Sequence, residues 1–138
     1  MSAGAPITQR LTAQTVGPQG PVPTEAELRY DPADPYAVVI AFEQFDDEVV
    51  WVFGRDLLMR GVSAPAGEGE VRVFPSIDDD ERAVVGLLLL SPSGQALAKL
   101  PSREVLDFLA RTTRAVWPGT ESEHLSTDDA IAAILVGG

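Results

Sequence analysis

The chain reads as an α+β protein, a mainly antiparallel β-sheet or barrel with one short helix and two C-terminal helices. Three features carry that reading. Between Ile7 and Leu100, short runs rich in β-branched and aromatic residues recur. Compact turns such as Asp46-Asp47-Glu48, Asp78-Asp79-Asp80 and Ser91-Pro92-Ser93-Gly94 separate several of them, which suits hairpins and local antiparallel pairing. Beyond Pro101 the apolar spacing lengthens to that of a helix.

Ile7 to Val16 alternates as one strand, with Ile7, Gln9, Leu11, Ala13 and Thr15 on one side. The stretch from Gly17 to Pro23 holds three prolines, which lack the amide protons of a ladder, and it reads as an exposed loop. Leu28 to Tyr30 is a short strand stopped by Asp31-Pro32 and Asp34-Pro35, where each proline pushes the preceding aspartate away from helical angles. Tyr36 to Phe45 and Val49 to Phe53 form a hairpin around the acidic tip. In its second strand Trp51 and Phe53 share one face and Val50 and Val52 the other, so both faces are expected to be covered.

Arg55 to Gly61 lacks β-branched residues and ends in glycine, which predicts a short helix capped by Gly61. Strands are expected at Gly69 to Phe74, Arg82 to Leu90 and Gln95 to Leu100. Ser102 is placed to cap a helix through Thr113, with Val105, Leu106, Phe108 and Leu109 toward the sheet. Ser126 or Thr127 opens a last helix, with Asp128 and Asp129 at its positive end and Ile131, Ile134 and Leu135 as its apolar stripe. A pattern of strands followed by a helix thus occurs twice, without a strong sequence repeat.

A chain of 138 residues fits a single domain, 1–138, with a core over about residues 7–136 and a proline/glycine-rich loop at 17–23. At this size folding buries about two-thirds of the unfolded surface. The absence of cysteine removes disulfides, thiolate zinc sites and cysteine nucleophiles, and fits a reducing compartment, so the expected location is the cytoplasm. Met1 to Pro6 has no basic n-region, and no apolar run approaches the roughly 20 residues of a membrane span. Ten basic against 21 acidic residues give a net charge of −11, which repels both a phosphate backbone and an anionic leaflet. Neither nucleic-acid binding nor direct membrane insertion is expected. Arg103, Arg111 and Arg114 fall on one helix and read as a solvated face.

No catalytic, metal or cofactor site can be assembled from these residues. His124 has Glu121 and Glu123 nearby but no second histidine, which is poor zinc chemistry and suits a surface or capping role. No serine sits in a nucleophile elbow. Gly67-Glu68-Gly69 precedes a strand, the wrong order for a phosphate cradle, and reads as a tight turn. The acidic runs at 46–48 and 78–81 lack calcium-loop spacing and read as hairpin tips. Four polar residues stand out: Arg55 and Asp56, opening the short helix, and Arg29 and Asp31, before the double Asp-Pro turn. Two roles remain open for them. Asp56 can satisfy helix amides and Asp31 can order its own turn, or all four can face a partner from a rigid scaffold.

Six runs occur in a fixed order: LRYDPADPYAV at 28–38, WVFGRDLL at 51–58, GEVRVFP at 69–75, SPSGQAL at 91–97, FLART at 108–112 and WPGTE at 117–121. Together they resemble the SsgA-like proteins, actinobacterial regulators of sporulation-specific cell division. The stretch after Pro118, with Glu121, His124 and Asp128-Asp129, is most similar to the SsgB branch. The resemblance implies a bell-shaped barrel similar to the single-strand-binding whirly fold, assembled as a homotrimer. It further implies a non-enzymatic cell-division activator that recruits the tubulin-like division GTPase to septum sites, promotes its polymerisation, and works with other SsgA-like proteins. The fold likeness also opens a second reading, a single-stranded nucleic-acid-binding regulator. That reading needs a basic groove with stacking aromatics such as Trp51, Phe53 and Tyr36, and the acidic charge opposes it.

Overall fold

The computed structural model describes residues 4–17, 20–44 and 46–125. It contains β1 (Ile7–Gly17), β2 (Gly20–Tyr30), β3 (Ala37–Gln44), β4 (Asp47–Gly54), α1 (Arg55–Gly61), β5 (Val71–Ile77), β6 (Ala83–Ser91), β7 (Gly94–Pro101), α2 (Ser102–Ala115) and a 3₁₀ turn at Glu121–His124. The last helix expected from Ser126 onward lies outside the described residues.

All seven strands form one antiparallel sheet in the order β4-β3-β2-β1-β7-β6-β5. Two meanders, β1 to β4 and β5 to β7, join where Gln14, Thr15 and Val16 of β1 pair with Lys99, Ala98 and Leu97 of β7. Each meander is followed by a helix, which accounts for the repeated strand-then-helix pattern in the sequence. α1 packs against both β4 and β5, the two ends of the strand order, so the sheet curls into a half-barrel. Along α2 the buried Val105, Phe108, Leu109 and Thr112 form one stripe, and the helix packs on β1, β6 and β7. The core lies between that stripe and the concave face, where Leu28, Ile40, Leu87 and Leu100 are buried.

Several expectations are corrected. The segment after Gly17 is not a long loop, because β2 begins at Gly20 and pairs with β1 from Gly17↔Gly20 onward. Pro21 and Pro23 are accepted there because β3 reaches β2 only from Ala26 to Arg29. Alternate residues turn their amide positions to one side, so both prolines fit the flank with no neighbouring strand. β4 is not covered on both faces: Val50 and Val52 are 47% and 60% exposed. Here β4 is an edge strand, and none of the described elements covers its convex side. Leu106 is exposed, as it falls off the 105-108-109-112 stripe.

Gly61 is the last residue of α1 and Val62 is the cap, so the glycine does not terminate the helix. A Cβ at Gly61 would run into Val73, and close packing explains the residue. Ser102 is the first helical residue of α2, Pro101 occupies the cap, and no side chain caps the helix. Proline's fixed φ suits the turn from strand to helix at that point.

Candidate interaction site

Arg55 follows directly from β4, where its backbone N–H donates to the Tyr36 carbonyl at 2.8 Å. Its side chain turns inward and is 1% exposed. Nη1 donates to the carbonyls of Thr112 (3.1 Å) and Val116 (2.7 Å), and Nη2 donates to Glu121 Oε2 at 3.1 Å. The guanidinium lies over the Tyr30 ring, 5.1 Å from its centre. A cation therefore closes the C-terminal end of α2, where the dipole is negative; it shares the Thr112 carbonyl with the Val116 N–H (2.8 Å) and takes up the Val116 carbonyl. Four of the six sequence runs meet at this residue, through Tyr30, Arg55 itself, Thr112 and Glu121.

The other members of the cluster are held as firmly. The Tyr30 hydroxyl donates to the Pro35 carbonyl at 2.9 Å, and burial pushes its pKa up to about 12. Glu121 Oε1 accepts from the Gly119 amide at 2.7 Å. Burial works to raise the Glu121 pKa, but its own amide, Arg55 and the Gly119 amide outweigh that and hold it below the ordinary 4.5. The result is a locked joint between α1, the Asp-Pro turn and the chain after α2.

The remaining candidates lie on the surface. Asp31 Oδ1 accepts from the Ala33 amide at 2.9 Å, so the aspartate orders its own turn. Asp56 is exposed and makes no capping bond; its Oδ2 accepts from Arg60 Nε at 2.8 Å, one turn along α1. Asp31 and Asp56 belong to the same end of the molecule, because the turn and α1 are joined through Tyr36. Arg29 stands apart on the convex face, with Nε on Glu27 at 2.7 Å and both Nη atoms on Glu48 at 3.3 and 2.9 Å. Those hydrogen bonds, opposed by burial, raise its pKa. Arg10 continues the ladder by donating to Glu43 at 2.9 Å.

Because this ladder is solvated, we expect Arg29→Ala to lower the urea-derived stability by less than about 1 kcal/mol. A larger loss in equilibrium unfolding would show that Arg29 carries part of the fold.

Elsewhere the bland readings hold their shape. Asp78 Oδ1 accepts from the amides of Asp80 and Arg82 within its hairpin, and Gly67 adopts a positive φ of 97° in its turn. Arg111 donates to the Thr8 carbonyl and to Gln9 Oε1, tying α2 to β1 rather than joining Arg103 and Arg114 in a patch. Sequence reasoning missed this tie and the Arg10 ladder, since both depend on strand register. Tyr36 is exposed, Trp51 is half-buried and Phe53 is buried, so the three aromatics do not form one stacking surface. Among the described residues, no group of three or more His, Asp or Glu side chains gathers for a metal ion. His124 sits half-buried in the 3₁₀ turn.

The profile of the family described as Streptomyces sporulation and cell division protein, SsgA, matches residues 24–121. The chain is 48% identical over 134 residues to the sporulation-specific cell division protein SsgB of Frankia casuarinae, covering 96% of this chain and 93% of that protein. Two solved structures superpose with a TM-score of 0.83. One comes from work on SsgB mutations that correlate with longitudinal cell division during sporulation of Streptomyces coelicolor, with 42% identity over 90% of this chain and 98% of that one. The other is the SsgA-like sporulation-specific cell division protein of Thermobifida fusca, with 38% identity over 97% and 98%. The profile spans every residue that builds the Arg55 joint, from Tyr30 to Glu121, and the likeness extends over nearly the whole chain: this protein belongs to the SsgA family of sporulation and cell division proteins.

Proposed function

We propose that this protein is a non-enzymatic activator of sporulation-specific cell division that recruits the tubulin-like division GTPase to septum sites and promotes its polymerisation there. The observation that carries the reading is near-half identity, over most of both chains, to relatives named for sporulation-specific cell division. The family is one of cell-division regulators rather than enzymes. A rigid sheet with solvent-facing Asp31 and Asp56 at one end and Arg29 on the convex face offers polar contacts to a partner, and Arg55 holds that end in shape. In a homotrimer, alone or with other SsgA-like proteins, each contact would be repeated, so modest single-site affinity would become avidity along a filament.

Among the described residues no helix is long and apolar enough to cross a membrane. With its acidic charge, the protein reaches the septum on this reading through an adaptor. The test is sedimentation of the purified division GTPase with GTP, with and without this protein, against an acidic control protein of similar size. The expected result is co-pelleting and more polymer, weakened several-fold by the Asp31→Ala, Asp56→Ala pair. Absence of co-pelleting and unchanged polymer, at protein concentrations well above micromolar, would reject direct recruitment.

A further inference from the structure

Among the described residues, the concave face of the half-barrel is filled at only one end. α2 covers the end where β1 begins, as its contacts to Thr8 and Gln9 show. Toward the other end lies a cavity of about 600 Å³, bounded by residues of β1, β2, β3, β4, β6 and β7. Phe42, Leu89 and Ala98 form its buried floor, and Val22, Val49 and Trp51 form its walls. Val22 and Val49 are 53% and 38% exposed, so apolar surface stands open to solvent. Its hydroxyls are already engaged: Thr15 and Thr24 bond to each other at 2.9 Å and also reach the Val22 carbonyl.

Around this hollow the charge has one sign. Glu25 and Glu43 stand in its lining, and at the β3–β4 tip Asp47, which pairs with Gln44 of that lining, and Asp46 add two more carboxylates. Arg10 offsets part of this by pairing with Glu25 and Glu43, and it leaves Asp46 and Asp47 uncompensated. Asp46 and Asp47 are exposed, and neither forms an ion pair among the described residues. An apolar hollow under an acidic rim repels an anionic lipid surface. A second copy of this chain would add another charge of −11 and set carboxylates against carboxylates if rim met rim.

We infer that the hollow receives a cationic amphipathic segment of another protein. Its apolar side chains enter between Val22, Val49 and Trp51, and its lysines or arginines meet the β3–β4 tip. Complementary charge steers the encounter and fixes orientation, while burial of apolar surface supplies the affinity. This surface assignment goes beyond the cell-division reading and does not depend on which partner that reading names.

The experiment uses the full chain carrying Trp117→Phe, which leaves Trp51 as the single indole. A synthetic peptide with leucine and lysine at amphipathic helical spacing is titrated while Trp51 emission is read. The same peptide with glutamate for lysine, and anionic phosphatidylglycerol vesicles, serve as rivals. We expect a saturable blue shift with the cationic peptide alone. Two surface variants, Asp46→Asn with Asp47→Asn, and Val22→Thr with Val49→Thr, should each weaken it about tenfold. Equal binding of both peptides, no saturable shift, a shift caused by vesicles, or peptide binding unchanged in the valine variant would each overturn the inference. So would sedimentation showing a self-associated state that the valine variant dissociates, because a second copy would then fill the hollow.

Discussion

Arg55→Met is expected to remove about 3–5 kcal/mol of stability, the range for breaking a buried ion pair from one side. That is a large share of the 5–15 kcal/mol that holds a typical domain together. The size follows from what is left behind. Methionine fills the volume but strands Glu121 Oε2 and the Val116 carbonyl, while the Thr112 carbonyl keeps only the Val116 N–H. Among the described residues Arg55 Nε finds no hydrogen-bond partner, so the joint is not itself optimal, yet losing the cation is far worse. Arg55→Lys should recover only part of the loss, because a single ammonium cannot match a planar fork that serves three acceptors at once. Urea unfolding of the three proteins decides it; a loss within 1 kcal/mol or so for methionine would show that the joint is replaceable by packing.

The same joint sets part of the acid limb of stability. The Glu121 pKa is depressed in the folded protein, so its contribution is present above the ordinary 4.5 and is lost as pH falls through the lower folded value. Glu121→Gln should therefore give a lower but flatter stability curve below that pH. An acid limb unchanged by the substitution would assign the pH dependence to other carboxylates.

Gly61→Ala is expected to destabilise by about 1–3 kcal/mol, the usual range for overpacking a well-packed site. Helix propensity alone predicts the opposite sign, a gain of about 1 kcal/mol. Packing wins because a Cβ at position 61 would meet the Cβ, Cγ1 and backbone carbonyl carbon of Val73. Val73 cannot retreat: it pairs with Leu87 on one side and exchanges backbone hydrogen bonds of 2.8 and 3.0 Å with Ala66 on the other. Gly86→Ala should cost less, since the nearest atoms to the added methyl belong to the ring of the half-buried Phe74, which can swing away. Thermal unfolding separates the cases, and a raised midpoint for Gly61→Ala would refute the packing account.

Much of this fold is legible in the sequence. The alternation in Ile7, Gln9, Leu11, Ala13 and Thr15 named the inward face of β1 correctly, because strand periodicity is local and burial is one-sided. The Asp31 turn was equally readable, since its aspartate bonds an amide two residues on. Errors arose where a neighbour decides. Proline content marked 17–23 as a loop, yet β1 continues to pair there and the missing amides fall on a flank that β3 leaves empty. Val50 and Val52 looked like core residues because composition does not reveal whether a strand lies at a sheet edge.

By itself, the sequence determined the class of fold, the segments through α2 to within a few residues apart from β2, the family signature, and an acidity that disfavours polyanionic partners. Those properties are set by short-range periodicity, turn chemistry and charge, all of which can be read along the chain. Only the tertiary structure decided that Arg55 lies inside while Arg29 and Asp56 stay outside, and that four distant runs converge on one guanidinium. It alone placed an open apolar hollow under the β3–β4 tip. These depend on sheet register and curvature, where a slip of one residue would turn every side chain to the other face.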